Sequence, residues 1–413
     1  MRDIQFSHNH VKHAIFLSSY LAFFTHFFYY YQWNPTIAGH LSYLFYMFPA
    51  LILLFEHKKV EKTHFLFGRE YVLFAILPLF SYITKIIYYH EPLHDLYKDL
   101  CPLLLFLLYH VLVIKRISVP LILKIVLLFG FVTFLIQVFQ IQNPDSAMFG
   151  QNIDPESIGA VGVIEVRNGI NRYRLDGMFY MSIFAVMFYW NKLQNKFTLF
   201  KLFLFICFLV SIYLYLARQI IAVVLLTLAI SLILRDKTPN IFKYFVFLII
   251  GFLLFFYFDN LFGTFLSKTN EEFNTANIRS FSYTFLFERC LSNPYIFLFG
   301  NGNPSIVDTW KETLDVYTND VGFVGEWFNY GLIRLLVYIV VVYKILWKYS
   351  NYIPLYLKLF VLCICLDSIL IHPFQRQSHM IVWTLAIYIA EIYIKKNMRD
   401  RALLREKQII NHS

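Results

Sequence analysis

The sequence predicts an all-α integral membrane protein, a polytopic helical bundle of about twelve transmembrane helices with a large loop between two late spans. Hydrophobic residues make up 59% of the 413 residues and charged residues only 15%, and the mean hydropathy is +0.57. Ordinary globular chains contain about 45–50% apolar residues. The charges lie in short clusters between apolar runs, and lipid offers the backbone no water, so each long run must be a helix.

The apolar runs between charge clusters predict the individual spans. They lie near residues 14–31, 37–55, 71–89, 100–114, 119–141, 175–190, 197–216, 218–234, 240–258, 325–347, 353–371 and 379–394. The number of spans depends on two places. The run 197–234 is long enough for two helices, and the stretch 321–347 begins with glycines that could form a short re-entrant piece before a full span.

The distribution of lysine and arginine predicts the orientation. Alternate short loops are rich in Lys and Arg, and the short loops between them are poor in both. By the positive-inside rule, the basic loops and both termini are cytoplasmic. The same rule accounts for the net charge of +10, so we expect no nucleic-acid partner. The basic positions include Lys58, Lys59, Lys62, Arg69, Lys115, Arg116, Lys192, Lys196, Arg235, Lys237, Lys344 and Lys348.

The chain reads as one polytopic domain, 1–413, with two long loops on the outer side. The first is 142–174 and the second is 259–320, while 395–413 forms a basic cytoplasmic tail. Loops longer than about 15 residues are usually functional or disordered. The second loop contains IRSFSYTFLFERCL, whose apolar periodicity predicts an amphipathic helix at the membrane surface.

Arginines on the outer side are unusual, because that side is normally depleted of them. A single arginine there is also compatible with an interfacial anchor. A group of them can hold a phosphate or diphosphate through bidentate contacts. Arg218 interrupts a long apolar run, where a charge costs about 2.5–3.5 kcal/mol or more. The candidates for diphosphate binding are Arg172, Arg174, Arg218, Arg279 and Arg289.

Two carboxylates precede or begin the span at 325–347. Asp320 and Glu326 either cap a helix N-terminus or act as a general base toward an acceptor hydroxyl. Gly300-Asn301-Gly302 reads more readily as a turn than as a phosphate loop. Asp367 lies close enough to the outer end to be the partner of an outer arginine. No metal-binding or nucleotide-binding motif is present, so we expect neither metal nor cofactor.

Four segments resemble one family in their order along the chain. They are LYLARQIIAVVLL around Arg218, RYRLDGMFYMSIFAV from Arg172, IRSFSYTFLFERCLSNPYIFLFGNG, and NDVGFVGEWFNYGLIRLLVYIVV. This pattern resembles the bacterial O-antigen polymerase and O-antigen ligase group of polytopic glycosyltransferases. The likeness covers about the last 240 residues, and the first half is similar in hydropathy only.

The resemblance implies an inner-membrane enzyme that joins undecaprenyl-diphosphate-linked repeat units into O-antigen, capsular polysaccharide or exopolysaccharide at the periplasmic face. The partners would be the lipid-linked glycan donor and acceptor, the bilayer and a chain-length regulator. One alternative is an O-antigen ligase, although ligases carry a histidine where this chain has Asn319-Asp320. A second alternative is a flippase or transporter of lipid-linked sugars, and the absence of a visible internal repeat favours the enzyme.

Overall fold

A computed structural model of the chain is almost entirely helical. It describes residues 8–24, 35–92, 100–143, 164–167, 170–173, 178–215, 218–233, 269–318, 321–371, 374 and 377–412. The first half contains α1 (His8–Phe24), α2 (Pro35–Phe55), α3 (His57–Lys62), α4 (Gly68–Tyr89), a 3-10 segment (Cys101–Leu107), α5 (Leu108–Lys115), α6 (Val119–Gln142), β1 (Ile164–Arg167) and β2 (Ile170–Tyr173).

The second half contains longer helices and a group of shorter ones between them. They are α7 (Met178–Asn195), α8 (Leu199–Leu214), α9 (Arg218–Ile233), α10 (Thr269–Leu291), α11 (Pro294–Phe299), α12 (Ile306–Leu314), α13 (Gly322–Tyr343), α14 (Leu355–Asp367) and α15 (Gln377–His412). A π-helical turn, Lys344–Lys348, extends α13, and a 3-10 turn, Ser350–Tyr352, leads toward α14.

Helices occupy each predicted span except 240–258, which lies outside the described residues. Three helices in the described part of the chain are long and apolar enough to cross a membrane: Gly68–Tyr89, Val119–Phe139 and Gly322–Lys348. The fold is therefore that of a helical membrane protein. The predicted number of about twelve membrane crossings stays a prediction.

The centre of the bundle is formed by α7 and the first half of α15. Every residue in 179–187 and in 378–391 is buried. Helices that are buried on every side and mostly apolar belong in the interior of a large or membrane-embedded protein. Trp190 and Trp383 are among the largest fully buried side chains, and Trp383 stacks on Tyr338 of α13 with ring centroids 5.4 Å apart.

The outer faces of the bundle carry apolar stripes where a water-soluble protein would carry polar residues. On α4, Leu73, Ile76, Phe80, Ile83 and Ile87 follow helical spacing and are 39–65% exposed. On α13, another stripe of this kind runs through Leu336, Ile339, Val340 and Tyr343. Large exposed apolar surfaces mark contact with membranes or partners. Lipid is the contact that suits stripes running along helices of this length.

Several predicted cytoplasmic residues meet at one end of the bundle, which we call the basic end. Glu56, just after α2, pairs with Lys115 at the end of α5 (2.6 Å) and with Lys59 of α3 (2.5 Å). These two ammonium groups lower the pKa of the Glu56 carboxyl to about 2, and Lys115 makes the larger contribution. At the same end, Lys344 pairs with Glu70 of α4. The alternation of basic loops thus agrees with the packing of the helices.

Glu391 of α15 anchors the loop before α4 at the basic end. Its side chain is fully buried and accepts hydrogen bonds from the Leu66 amide (3.3 Å) and from the Tyr109 hydroxyl, and it pairs with Lys395. Lys344 donates to the Leu66 carbonyl at 3.1 Å. Side chains from three helices therefore satisfy the backbone of this loop, which would otherwise have unpaired polar groups.

The long loops predicted on the other side contain structure of their own. In 142–174, β1 and β2 form an antiparallel hairpin with Glu165 opposite Arg172, which the sequence reasoning did not predict. In 259–320, the predicted segment 278–291 is helical as part of α10, and its location at the membrane surface stays a prediction. Asn293 then accepts a hydrogen bond from the Tyr295 amide at 2.8 Å, which caps α11. We call α10–α12 the docked segment.

Helix α13 is broken at Gly331, where φ is 82° and ψ is 165°. The break removes the amides that would normally bond to the carbonyls of Phe328 and Asn329. The amides of Asn301 and Gly302 replace them, at 2.7 Å and 2.8 Å respectively. The Gly-Asn-Gly turn is therefore a cap for a broken helix, and the Asn301 and Gly302 amides are engaged inside the protein.

The turn and α11 also hold to the second half of α4, away from the basic end. The Tyr295 hydroxyl donates to the Phe80 carbonyl (2.9 Å), and the Tyr89 hydroxyl donates to Asn301 Oδ1 (2.9 Å). The docked segment thus lies at the end of the bundle opposite the basic end and bridges α4 and α13.

The predicted basic tail continues α15 without interruption as far as His412. Its sequence contains strong helix formers such as Arg, Leu, Glu and Lys, which can extend a helix already nucleated by the buried first half.

We expect Glu391→Ala to destabilise the protein, because it leaves the Leu66 amide and the Tyr109 hydroxyl without their acceptor. Each buried donor left unpaired costs about 1–3 kcal/mol. Thermal unfolding of the purified protein in detergent should show a clearly lower midpoint. Glu406→Ala, on the exposed end of the same helix, is the control and should leave the midpoint unchanged. An unchanged midpoint in Glu391→Ala would contradict the anchoring role.

We expect Gly331→Ala to loosen the docked segment. A Cβ at this position would overlap the Leu298 carbonyl oxygen, and the backbone conformation itself is nearly restricted to glycine. The cost should be about 1–3 kcal/mol or more, with faster proteolysis between residues 292 and 305. Gly130→Ala is the matched control, since its nearest neighbour is a Phe208 ring atom at 3.1 Å. Equal proteolysis in the two variants would count against the role of the break.

Candidate functional site

The structure positions the backbone of two predicted arginines. Arg218 is the first residue of α9, and Arg172 lies in β2. Their side chains lie outside the described part of the structure, as do Arg174 and Asp320 entirely. Diphosphate binding by these arginines and the role of Asp320 as a base therefore stay predictions.

The other two predicted arginines lie on α10, and both are exposed. The guanidinium of Arg289 lies over the rings of Phe285 (5.3 Å) and Trp310 (5.5 Å). Aromatic faces attract a cation and restrict its side chain. Arg289 is thus held in position at the surface and its charge remains accessible to an anion from solvent, as is the charge of Arg279.

A small hydrophobic core supports these arginines. It is separate from the core of the bundle and joins α10 and α12 to the first half of α13. Cys290 belongs to it and is fully buried, and burial raises the pKa of its thiol to about 12, which disfavours the thiolate form. The members are Leu286, Cys290, Val307, Trp310, Val316, Val321, Val324 and Phe328.

Helix α10 buries one apolar face, and its exposed surface carries both polar and apolar side chains. Leu286 and Cys290 are buried against α12 and α13, whereas Tyr283 is 45%, Phe287 39% and Leu291 51% exposed. Apolar groups spaced along one face of a helix suit the boundary between head groups and acyl chains.

The start of α9 lies near a group of aromatic rings from other helices. Tyr215, just before Arg218, packs against Phe179 at 4.8 Å, and the neighbouring Tyr180 stacks on His379 at 4.2 Å. His379 is only 2% exposed. The beginnings of α7, α9 and α15 and the end of α8 therefore converge. The backbone of Arg218 thus lies in the same region as the last predicted outer loop.

Glu326 has a specific partner. Its Oε1 accepts a hydrogen bond from Arg334 Nη1 at 2.7 Å, and both side chains are fully buried. The pair spans the break at Gly331, because Glu326 precedes it and Arg334 follows it. A buried charge without a partner is costly, so the pair ties the two halves of α13 together. The predicted role of Glu326 as a base is constrained by this contact and stays a prediction.

Four aromatic rings surround Arg334. The Tyr330 ring centroid is 3.9 Å from the guanidinium carbon, and the rings of Phe74, Phe106 and Phe374 lie at 5.8, 5.7 and 5.9 Å. Phe74 comes from α4 and Phe106 from the 3-10 segment before α5. We call these four rings the aromatic cage. The ring faces stabilise the guanidinium charge by cation–π attraction and leave its N–H groups available for hydrogen bonds.

Sequence reasoning did not single out Arg334, although Arg334 interrupts a long apolar run just as Arg218 does. Arg334 also lies within a long apolar run, where an ionisable residue is a functional candidate with a partner to be found. The partner, Glu326, is eight residues earlier. That spacing does not bring two side chains together on an unbroken helix, so only the break at Gly331 reveals the pair.

No group of three or more His, Cys, Asp or Glu residues that could hold a metal ion occurs among the described residues. Asp367 of α14 is buried at 3% exposure beside Ser368, whose hydroxyl lies 3.3 Å from the Tyr338 hydroxyl. The predicted pairing of Asp367 with an outer arginine is not tested by these contacts.

No family model, no curated protein and no solved structure matches the chain. The likeness to O-antigen polymerases and ligases therefore rests on the sequence motifs alone and stays a prediction.

Proposed function

We propose that this protein is a metal-independent glycosyltransferase of the bacterial inner membrane that polymerises undecaprenyl-diphosphate-linked repeat units at the periplasmic face. The observation that carries the proposal is the position of Arg279 and Arg289. Both are exposed on the docked segment, at the end of the bundle opposite the basic end. In this proposal the chain crosses the membrane about twelve times and both termini are cytoplasmic.

The two ends of the bundle support this orientation. Lys115, Lys344 and Lys395 lie at one end, as expected for cytoplasmic loops. The opposite end carries a segment with its own hydrophobic core and two exposed arginines. An outer surface of this kind suits an anionic head group presented from the outer leaflet.

The proposed reaction is a displacement at the anomeric carbon of the donor sugar. The acceptor hydroxyl oxygen forms a bond to this carbon while the bond to the diphosphate oxygen breaks, and the lipid diphosphate leaves with the electron pair. Arg218, Arg279 and Arg289, helped by Arg172 or Arg174, would stabilise the charge that develops on the leaving group. The carboxylate of Asp320, six residues before Glu326, would accept the hydroxyl proton.

A ligase would use the same chemistry with a different acceptor. Asn319-Asp320 stands where ligases carry a histidine, and this favours the polymerase. The acceptor distinguishes the two: a polymerase transfers the donor glycan to another lipid-linked glycan, and a ligase transfers finished polymer to a different kind of molecule.

A flippase is the second candidate, and the break in α13 favours it. Discontinuous helices with charged groups near the break are common in transporters. Purified protein in liposomes distinguishes the two functions: an enzyme lengthens lipid-linked oligosaccharide without an energy source, whereas a flippase moves it across the bilayer and leaves its length unchanged.

We expect cysteines on the docked segment and at the basic end to react from opposite sides of the membrane. In a chain whose native cysteines are replaced by alanine, Lys311→Cys should react with an impermeant maleimide in intact spheroplasts. Lys59→Cys should react only after permeabilisation. Both native side chains are exposed, so access within the protein is not limiting. Labelling of Lys59→Cys in intact spheroplasts, without Lys311→Cys, would reject the proposed orientation.

We expect Arg218→Ala, Arg279→Ala and Arg289→Ala each to slow polymer formation about 10- to 100-fold, since a hydrogen bond to a charged group contributes about 1.5–3 kcal/mol. The measurement is the rate of elongation of lipid-linked oligosaccharide by purified protein at matched concentration. Lys311→Ala is the matched control, because it removes an exposed cation from the same segment. Wild-type rates in all three arginine variants would remove them from the mechanism.

A further inference from the structure

Arg334 uses only one of its three nitrogens within the described structure. Nη1 donates to Glu326, whereas Nε and Nη2 have no hydrogen-bond partner among the residues that the structure describes. The whole side chain is 0% exposed. Buried polar groups are nearly always satisfied, so two donors without a partner on one fully buried guanidinium require an explanation.

The geometry of these two nitrogens is specific. Nη2 lies on the side of the guanidinium away from Cδ, so its N–H and the N–H of Nε point in the same direction. They form the side-on edge of the guanidinium, which matches two oxygens of a carboxylate or phosphate. The edge is preorganised, because Glu326 and the aromatic cage already hold the rest of the group.

One ring of the aromatic cage is partly exposed. Phe74, Phe106 and Phe374 are buried, but Tyr330 is partly exposed. Tyr330 also adjoins Gly331, where the helix is broken. Non-helical backbone at membrane depth occurs where it is buried in protein or lines a cavity, and broken helices in membrane proteins commonly form substrate and ion sites. A ligand would therefore reach Arg334 past the Tyr330 side chain.

We propose that the Nε–Nη2 edge of Arg334 is a binding position for an oxyanion with two adjacent oxygens, held between the aromatic cage and the break in α13. Glu326 is the positioning residue that sets the direction of this edge. The site rests on the contacts of Arg334 itself. The choice of probes rests on the proposed function, which offers two sources of the oxyanion: a diphosphate head group and the carboxylate of an acidic sugar.

Arg334→Lys is the decisive variant. A lysine retains the charge and can pair with Glu326, but it lacks the planar side-on edge. If Arg334 only stabilises the break in α13, Arg334→Lys should bind the probes like the wild type. If the edge binds an oxyanion, the variant should be folded and bind at least tenfold more weakly. Arg401→Lys is the matched control, because Arg401 also lies over a tyrosine ring, Tyr352 at 4.5 Å, and is at the basic end.

The measurement is equilibrium dialysis of the full-length protein in detergent with radiolabelled inorganic pyrophosphate in one arm and radiolabelled glucuronate in the other. Arg334-dependent binding of pyrophosphate identifies a diphosphate site, and Arg334-dependent binding of glucuronate identifies an acidic-sugar site. Absence of binding in both arms, or equal binding by the wild type and Arg334→Lys, overturns the proposal.

A second variant covers the case in which Arg334→Lys does not fold. The double variant Glu326→Gln/Arg334→Gln removes both charges together and leaves neither one buried alone. It should also lose the binding, and wild-type affinity in this variant overturns the proposal. Because dialysis requires no glycosyl transfer, a protein that binds without polymerising would retain this site and reject the proposed reaction.

Discussion

Two backbone hydrogen bonds connect the docked segment to the bundle, and most of the features at that end depend on them. Asn301 and Gly302 donate to the carbonyls that Gly331 releases by breaking α13. The turn and α13 approach so closely that a Cβ on Gly300 would overlap the backbone nitrogen of Gly331. Neither side is complete alone, because α13 would have unpaired carbonyls and the turn would have unpaired amides.

The same junction explains why charged residues occur within a predicted span. Glu326 and Arg334 lie on opposite sides of the break, and the ion pair between them closes it. An unbroken helix would point them in different directions, each without the other as its partner. The aromatic cage then reduces the cost of placing a guanidinium among apolar helices. Backbone geometry, charge pairing and ring packing thus depend on one another at this site.

The two ends of the bundle differ in the way their loops are held. At the basic end, Glu391, Lys344 and Tyr109 bond to the main chain of one short loop and connect several helices. At the opposite end, the docked segment is held by its own core and by backbone contacts, and its arginines remain exposed. A rigid base beneath an accessible surface is an arrangement suited to binding at that surface.

Hydropathy was sufficient to predict the helical segments, because lipid imposes one backbone solution on every long apolar run. Apolar periodicity and the Asn293-Pro294 pair predicted the helix over 278–291 and its end nearby, and the helix ends at Leu291. Hydropathy could not reveal the hairpin of β1 and β2, whose strands are only four residues long. It could not reveal the pairing of Glu326 with Arg334 either, since that contact depends on one glycine with an unusual backbone conformation.

The length of α15 has a consequence for how this protein can be handled and anchored. It contains 36 residues, which corresponds to about 54 Å, well beyond a hydrocarbon core of about 30 Å. Only its first part is enclosed by other helices. Arg401 still contacts Tyr352 of the bundle, and the charged remainder of the helix extends about 17 Å beyond it, so a reporter fused there would stand at a distance set by helix geometry and not by a flexible linker.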